Sequence, residues 1–277
     1  MGAFDTFETM KHFKLTRRLF LFAALALTSC AAAPGVDLSR PAIIGASASA
    51  GFGLKTTMAD AVALALELEP EAIFDGGRLM YFLDPEGTGE SLVKETMAFE
   101  SSAVIAVDYL FWFAYGNHGG ADERLSMLAR GLALLDELEV PILVSTLPDM
   151  KASIGKMLSR SMVPDEETLA RLNEALSDWA AARPRVHLFD LPALMGHMKS
   201  RIPIQIAGRS WPVDAPATYI QDDQLHPTRI GMAFVVCGLL DRLKAGCELD
   251  PPALALALDE LVAEREAAAA AQAASAH

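Results

Sequence analysis

Thiol is scarce in this chain: Cys30, Cys237 and Cys247 are the only cysteines among 277 residues. None stands with a histidine or a second cysteine at a metal-ligand spacing, so no structural metal or other cofactor is expected. Positive charge is also short, with 23 Lys and Arg against 36 Asp and Glu, a formal net charge of −13. So acidic a surface repels nucleic-acid phosphates and anionic lipid heads, which excludes nucleic acid as an expected partner. The N-terminal apolar run Leu19–Leu27 has nine residues, well short of the ~20 that span a bilayer core. Also missing around the serines of the first glycine-rich stretch is Gly-x-Ser-x-Gly, because position 49 is serine where the second glycine would stand.

What is there begins with a leader. Lys11, Lys14, Arg17 and Arg18 precede Leu19–Leu27, and small residues follow up to Cys30. Basic flank, short apolar core and small residues before a cysteine make a signal peptide over 1–29, not a stable membrane span. Leu27-Thr28-Ser29-Cys30 resembles a bacterial lipoprotein box, which implies lipidation of Cys30. Thr16-Arg17-Arg18-Leu19-Phe20-Leu21 resembles the twin-arginine export motif. Four basic and two acidic residues lie in the leader, so its removal would take the charge from −13 to −15. The expected membrane contact is therefore the lipid anchor, on the periplasmic face of an envelope membrane, and not a basic patch.

Residues 30–40 read as a tether, 41–246 as one domain, and 247–277 as a helix with an Ala-rich tail. A composition of 52% apolar and 21% charged residues is that of a globular protein. Strand-like runs at Ala42–Ala46, Ala72–Phe74, Ala103–Val107, Ile142–Ser145 and Val186–Phe189 alternate with helical patterns at Thr57–Leu68, Glu90–Phe99, Ala121–Glu137, Glu166–Ala182 and Thr228–Lys244. That alternation predicts a parallel sheet with helices on both faces. Ile202–Val213 reads as a loop or hairpin. Cys237 and Cys247 stand ten residues apart, roughly 15 Å along one helix, so they meet only if the chain folds back near Gly246.

The first strand runs into Gly45-Ala46-Ser47-Ala48-Ser49-Ala50-Gly51-Phe52-Gly53. A strand ending in a tight turn of small residues puts Ser47 at the carboxyl edge of the sheet, where α/β folds hold ligands. A serine needs a base to become a nucleophile. Near the other end stands Gln221-Asp222-Asp223-Gln224-Leu225-His226-Pro227, leading into the last helix of the sheet domain. The spacing lets Asp223 fold back onto one nitrogen of His226 and leave the other free for a serine proton, with Asp222 as its neighbour and rival. His118 reads as a loop residue, His187 as strand packing and His197 as part of a surface helix. Phe111, Trp112, Phe113 and Tyr115 are divided between core and a wall beside the site.

These two ends together resemble the first and last blocks of the GDSL or SGNH hydrolases. The resemblance covers about residues 40–245 and implies a single-domain, three-layer α/β/α flavodoxin-like fold with metal-free esterase or lipase chemistry. Carried onto this chain it makes Ser47 the nucleophile, His226 the base and Asp223 its orienter. It also implies an oxyanion hole of the Ser47 N–H, a glycine N–H and an asparagine side chain. Gly89, with Gly87 as rival, and Asn117 in Tyr115-Gly116-Asn117 match best. One departure is Ala46, which stands where the family has an aspartate, so a local hydrogen bond would be missing. The expectation is an envelope esterase acting on a small-molecule, glycan or lipid ester. The alternatives are an O-acyltransferase on envelope carbohydrate and a non-catalytic envelope binding lipoprotein.

Overall fold

The computed structural model describes residues 35–275, Glu248 excepted; the leader and Cys30 lie outside the described residues. Five short strands form a parallel sheet in the order β2-β1-β3-β4-β5. They are β1 (Pro41–Gly45), β2 (Phe74–Gly77), β3 (Ala103–Ala106), β4 (Ile142–Ser145) and β5 (Val186–Phe189). β1, β3 and β4 are buried along their whole length, as strands covered on both faces must be, and so read as unbroken apolar runs. Helices α1 (Met58–Ala65), α2 (Pro85–Ala98), α3 (Phe111–Ala114), α4 (Ala121–Asp136), α5 (Glu166–Ala181), α6 (Leu191–Ser200), α7 (Arg229–Leu243) and α8 (Pro251–Ser275) complete the chain. α1, α7 and α8 pack together, and α4 packs against α2, α3 and α5, giving a three-layer α/β/α fold.

Helix starts follow local hydrogen bonding. Thr57 and Asp60 form a reciprocal capping box on α1, and Asp165 and Thr228 cap α5 and α7 through side-chain oxygens. α2 begins five residues before the expected Glu90. Asp84 accepts from the Gly87 N–H and Pro85 takes the first helical position, a start masked in the sequence by two glycines. β2 runs later than expected, over Phe74–Gly77 instead of Ala72–Phe74. Its glycines leave room for a close neighbour, since a Cβ on Gly76 would lie 2.9 Å from the Ile43 carbonyl oxygen. Between loop and hairpin for 202–213, the hairpin is what forms. β6 (Ile204–Ile206) pairs antiparallel with β7 (Arg209–Trp211), across Ala207 and Gly208 at φ 51° and 73°, the backbone of a two-residue turn with positive φ at both positions.

α7 is the most enclosed of the long helices, with ten buried residues from Gly231 to Leu243. Gly231 sits where any Cβ would strike the Tyr219 carbonyl, so the entering chain lies hard against it. α7 stops at Lys244, which takes a left-handed conformation (φ 53°), and Gly246 (φ 77°) turns the chain back. The reversal brings Cys237 Sγ and Cys247 Sγ within 3.7 Å. α8 then buries Leu254, Ala255 and Leu258. Farther out, Arg265 grips Asp60 through both terminal nitrogens at 2.7 and 2.8 Å. Among the described residues no helix is long and apolar enough to cross a membrane.

Several carboxylates are held below the usual aspartate pKa near 3.8. For Asp136 the Arg183 guanidinium is the main cause; for Asp60, burial opposes but the Arg265 and Thr57 hydrogen bonds prevail. A depressed folded-state pKa adds stability that is complete above the unfolded value and lost as pH falls through the folded one. Unfolding free energy, followed by circular dichroism in urea, should therefore be flat with respect to these groups above about pH 5 and decline below about pH 4. A stability that rose on acidification from pH 4 to 2 would contradict this assignment.

Candidate active site

The turn after β1 is organised by a carboxylate from elsewhere in the chain. Asp108, two residues past the end of β3, accepts from the N–H groups of Ala46 (3.0 Å), Ala48 (2.8 Å) and Ser49 (3.2 Å), and from the Ser49 hydroxyl (2.5 Å). β1 and β3 are paired neighbours, with β2 on the other side of β1, so this turn sits where the strand order reverses. The small residues now have individual reasons. A side chain at Gly45 would collide with Asp108, and one at Gly51, already at φ 69°, with the Thr56 carbonyl. Ala46 brings no polar side chain to this turn, but its backbone N–H is held. A carboxylate 62 positions away supplies the acceptor.

Asp108 takes the N–H groups on either side of Ser47 and leaves that of Ser47 itself without an acceptor among the described residues. The Ser47 hydroxyl lies 2.8 Å from His226 Nε2. His226 Nδ1 lies 2.7 Å from Asp223 Oδ2, while Asp223 Oδ1 accepts from the N–H groups of Leu225 and His226 at 2.9 and 3.0 Å. Burial works against the Asp223 charge. The His226 imidazole and the two N–H groups outweigh it and hold the carboxyl below its usual range. An ionised carboxylate can only accept, so the proton sits on Nδ1 and Nε2 presents its lone pair to Ser47.

His226 is only 2% exposed, and the Phe52 ring stacks on it at 4.3 Å between centroids. Gln221 ties the two ends of the chain together. Its Nε2 donates to the carbonyls of Phe52 (2.8 Å) and Pro227 (2.7 Å). Its backbone N–H meets the His226 carbonyl at 2.9 Å. Ser47 and His226 open onto a cavity of about 830 Å³, mouth included, bounded by the sheet edge, α6 and α7. Asp222 is exposed, and its carbonyl accepts from Lys156. It takes no part in the Ser47–His226–Asp223 chain of hydrogen bonds.

The two remaining oxyanion candidates are not brought to the cavity at Ser47. Gly89 lies inside α2, where its N–H belongs to the helix ladder. A Cβ there would stand 2.7 Å from the Tyr109 hydroxyl and 3.0 Å from that of Tyr81, so the glycine makes room for two tyrosines. Its rival Gly87 donates its N–H to the capping Asp84. Asn117 accepts from the Ser161 hydroxyl at 2.8 Å in an exposed loop. Neither Gly89 nor Asn117 lines the cavity at Ser47.

His118 contacts the Tyr115 carbonyl at 3.1 Å. Burial first, then Arg242, lowers the pKa of His187 in β5. The helix of His197 is less a surface element than expected, because Met195 and Met198 point inward at 8% and 2% exposure. Phe113 and Tyr115 are core, while Phe111 lines the cavity.

In the sequence Asp108 stands out as the neighbour of Leu110-Phe111-Trp112, where a gap-free match to the expected asparagine falls, and Gln221 does not stand out. A charged residue just past a wholly apolar strand run was the available signal for Asp108. Gln221 has none, since its role depends on where the chain returns. Among the described residues no group of His, Cys, Asp and Glu could hold a metal ion.

Comparison with protein-family models and with curated protein sequences finds no match. Solved structures do match. A lipase/acylhydrolase from Enterococcus faecalis superposes with a TM-score of 0.53 at 17% identity, over 76% of this chain and 97% of that one. An acetylxylan esterase from Geobacillus stearothermophilus gives 0.49 at 16% identity, over 74% and 94%. A gut microbial diltiazem-metabolizing enzyme gives 0.49 at 13% identity over 76% of this chain, which spans about half (48%) of its length. The Enterococcus likeness shows the fold: this chain has the three-layer α/β/α architecture of that acylhydrolase.

Replacing Asp108 by Ala strands three N–H groups and a hydroxyl, at about 1–3 kcal/mol for each donor that water cannot reach. Asp108→Ala should lower the unfolding free energy in urea by ~2 kcal/mol or more, and Asp108→Asn, which keeps one acceptor oxygen, by less. Equal stability of all three proteins would refute the organising role of this carboxylate.

Proposed function

We propose that the protein is a serine hydrolase that cleaves carboxylic esters through an acyl-enzyme on Ser47. The observation that carries this reading is the unbroken hydrogen-bonded line from the Ser47 hydroxyl through both nitrogens of His226 to Asp223, at 2.8 and 2.7 Å. In the proposed reaction Ser47 Oγ attacks the ester carbonyl carbon as His226 Nε2 takes its proton. Asp223 keeps the imidazole in that tautomer and steadies the imidazolium. The carbonyl π electrons move onto oxygen, and the unclaimed Ser47 N–H is the donor nearest that charge. When the intermediate collapses, the C–O bond to the alcohol breaks and Nε2–H returns the proton to the departing oxygen. Water then repeats the sequence on the acyl-serine, releasing a carboxylic acid and restoring the Ser47 hydroxyl.

The leader supports a second part of the reading: export, cleavage before Cys30, and lipid anchoring of that cysteine at an envelope membrane. Several acyl chains on one cysteine would hold the domain firmly without any basic surface.

A fluorophosphonate should label the purified domain, and short nitrophenyl esters should be turned over. Ser47→Ala and His226→Ala should lose roughly 10³-fold or more in kcat, and Asp223→Asn about 10²–10⁴-fold. Neither labelling nor turnover in the unsubstituted protein would leave a binding lipoprotein as the reading, whereas labelling with transfer to added sugar in place of hydrolysis would make it an O-acyltransferase. Separately, radiolabelled palmitate fed to cells producing the full chain should enter the protein and fail to enter Cys30→Ala. Equal incorporation by both would defeat the anchor.

A further inference from the structure

The cavity beside Ser47 is walled by α6 and α7 and by the loops after β4 and before α7, and its methionines are interior residues. Met58, Met150, Met195, Met198 and Met232 all face it, and none is more than 8% exposed. These are five of the twelve methionines in the chain. Methionine is unbranched, polarizable and adaptable, so a wall of it fits a flexible apolar guest without demanding one shape.

The polar side chains at the wall are few and mostly spoken for. Asp108 is committed to the β1 turn. The Tyr219 hydroxyl accepts from the Asp214 N–H at 3.0 Å. Only Ser47 and His226, already bonded to each other, present polar atoms at one end. A sugar ring placed here would leave its hydroxyls without partners, at a cost no apolar contact offsets.

We propose that this cavity is an acyl-chain pocket and that the preferred acyl donor carries an unbranched aliphatic chain of about six to twelve carbons, not acetyl. The inference rests on Ser47 as nucleophile and names the substrate class of that same site. It places the acyl half inside for a chemical reason. After the first step the acyl group stays covalently on Ser47 while the alcohol has to leave and water has to arrive. The half that stays is the half an interior pocket can hold. The lining is apolar apart from the end at Ser47 and His226, the character of a site that takes an aliphatic group and fixes it by a few polar atoms. An acetyl group would leave most of that apolar wall uncovered. Each buried methylene is worth up to about fourfold in kcat/KM.

Nitrophenyl acetate, butyrate, octanoate and dodecanoate, each below its micellar concentration, test this. From acetate to octanoate kcat/KM should rise at least tenfold. Alkyl fluorophosphonates should label faster from ethyl to octyl. Met195→Trp, which fills the pocket, should cut the octanoate-to-acetate ratio at least fivefold; if that protein does not fold, the unsubstituted series decides alone. A flat or falling series with measurable turnover would overturn the acyl pocket while leaving the hydrolase reading in place. No turnover of any ester would sink the hydrolase reading instead. In that case calorimetry on Ser47→Ala still judges the pocket: tighter binding of octanoate than acetate upholds it, and no difference rejects it.

Discussion

The carboxylate of Asp108 draws three N–H groups and a hydroxyl of one turn onto itself, and the geometry around Ser47 follows from that. Because the acceptor comes from the neighbouring strand end, the turn after β1 is fixed by sheet pairing as well as by its own hydrogen bonds. Gly45 is small so that the carboxylate can reach in, and Ser49 is a serine that adds a fourth bond. The N–H groups on either side of Ser47 are taken, which leaves that of Ser47 itself unclaimed among the described residues. The same arrangement has an electrostatic side. It sets a negative group beside a place where negative charge would develop, and its several hydrogen bonds are what offset that proximity.

Much of this could be read from the sequence, for reasons that differ by element. β1, β3 and β4 announced themselves because strands buried on both faces must be apolar throughout. α1, α4, α5 and α7 did so through periodicity and capping residues. β2 and the first turn of α2 did not. Both are rich in glycine, whose value there is the space it leaves, and space for a neighbour is invisible without the neighbour. In the site, Ser47, Asp223 and His226 were legible because each pair is local or ordered along the chain. Gly89 and Asn117 were chosen by residue type, and packing decided otherwise: one accommodates two tyrosines and the other serves a surface loop. Asp108 acts across 62 positions and Gln221 reaches Phe52 across 169, and neither partner can be read from the residues beside them.

The cavity extends the same lesson to α6. As a sequence, Met195, His197 and Met198 resembled a surface helix with scattered sulfur. In the folded chain the two methionines turn inward toward Ser47 while His197 reaches the Pro203 carbonyl outside. One short helix thus lends the Ser47 cavity part of its apolar wall. α7, which follows His226 almost at once, supplies the opposite side. His226 and part of the cavity wall are therefore carried by one continuous stretch, and a shift of α7 would move both together.

Ser47 and His226 are 179 positions apart, at the start of the first strand's turn and just before the last helix of the sheet. Synthesis from the N-terminus would complete Ser47 early and its hydrogen-bond partner only after four-fifths of the chain. Until then the serine has no imidazole beside it and is an ordinary alcohol. The contact between them forms only once nearly the whole sheet domain has assembled, and so marks completed folding.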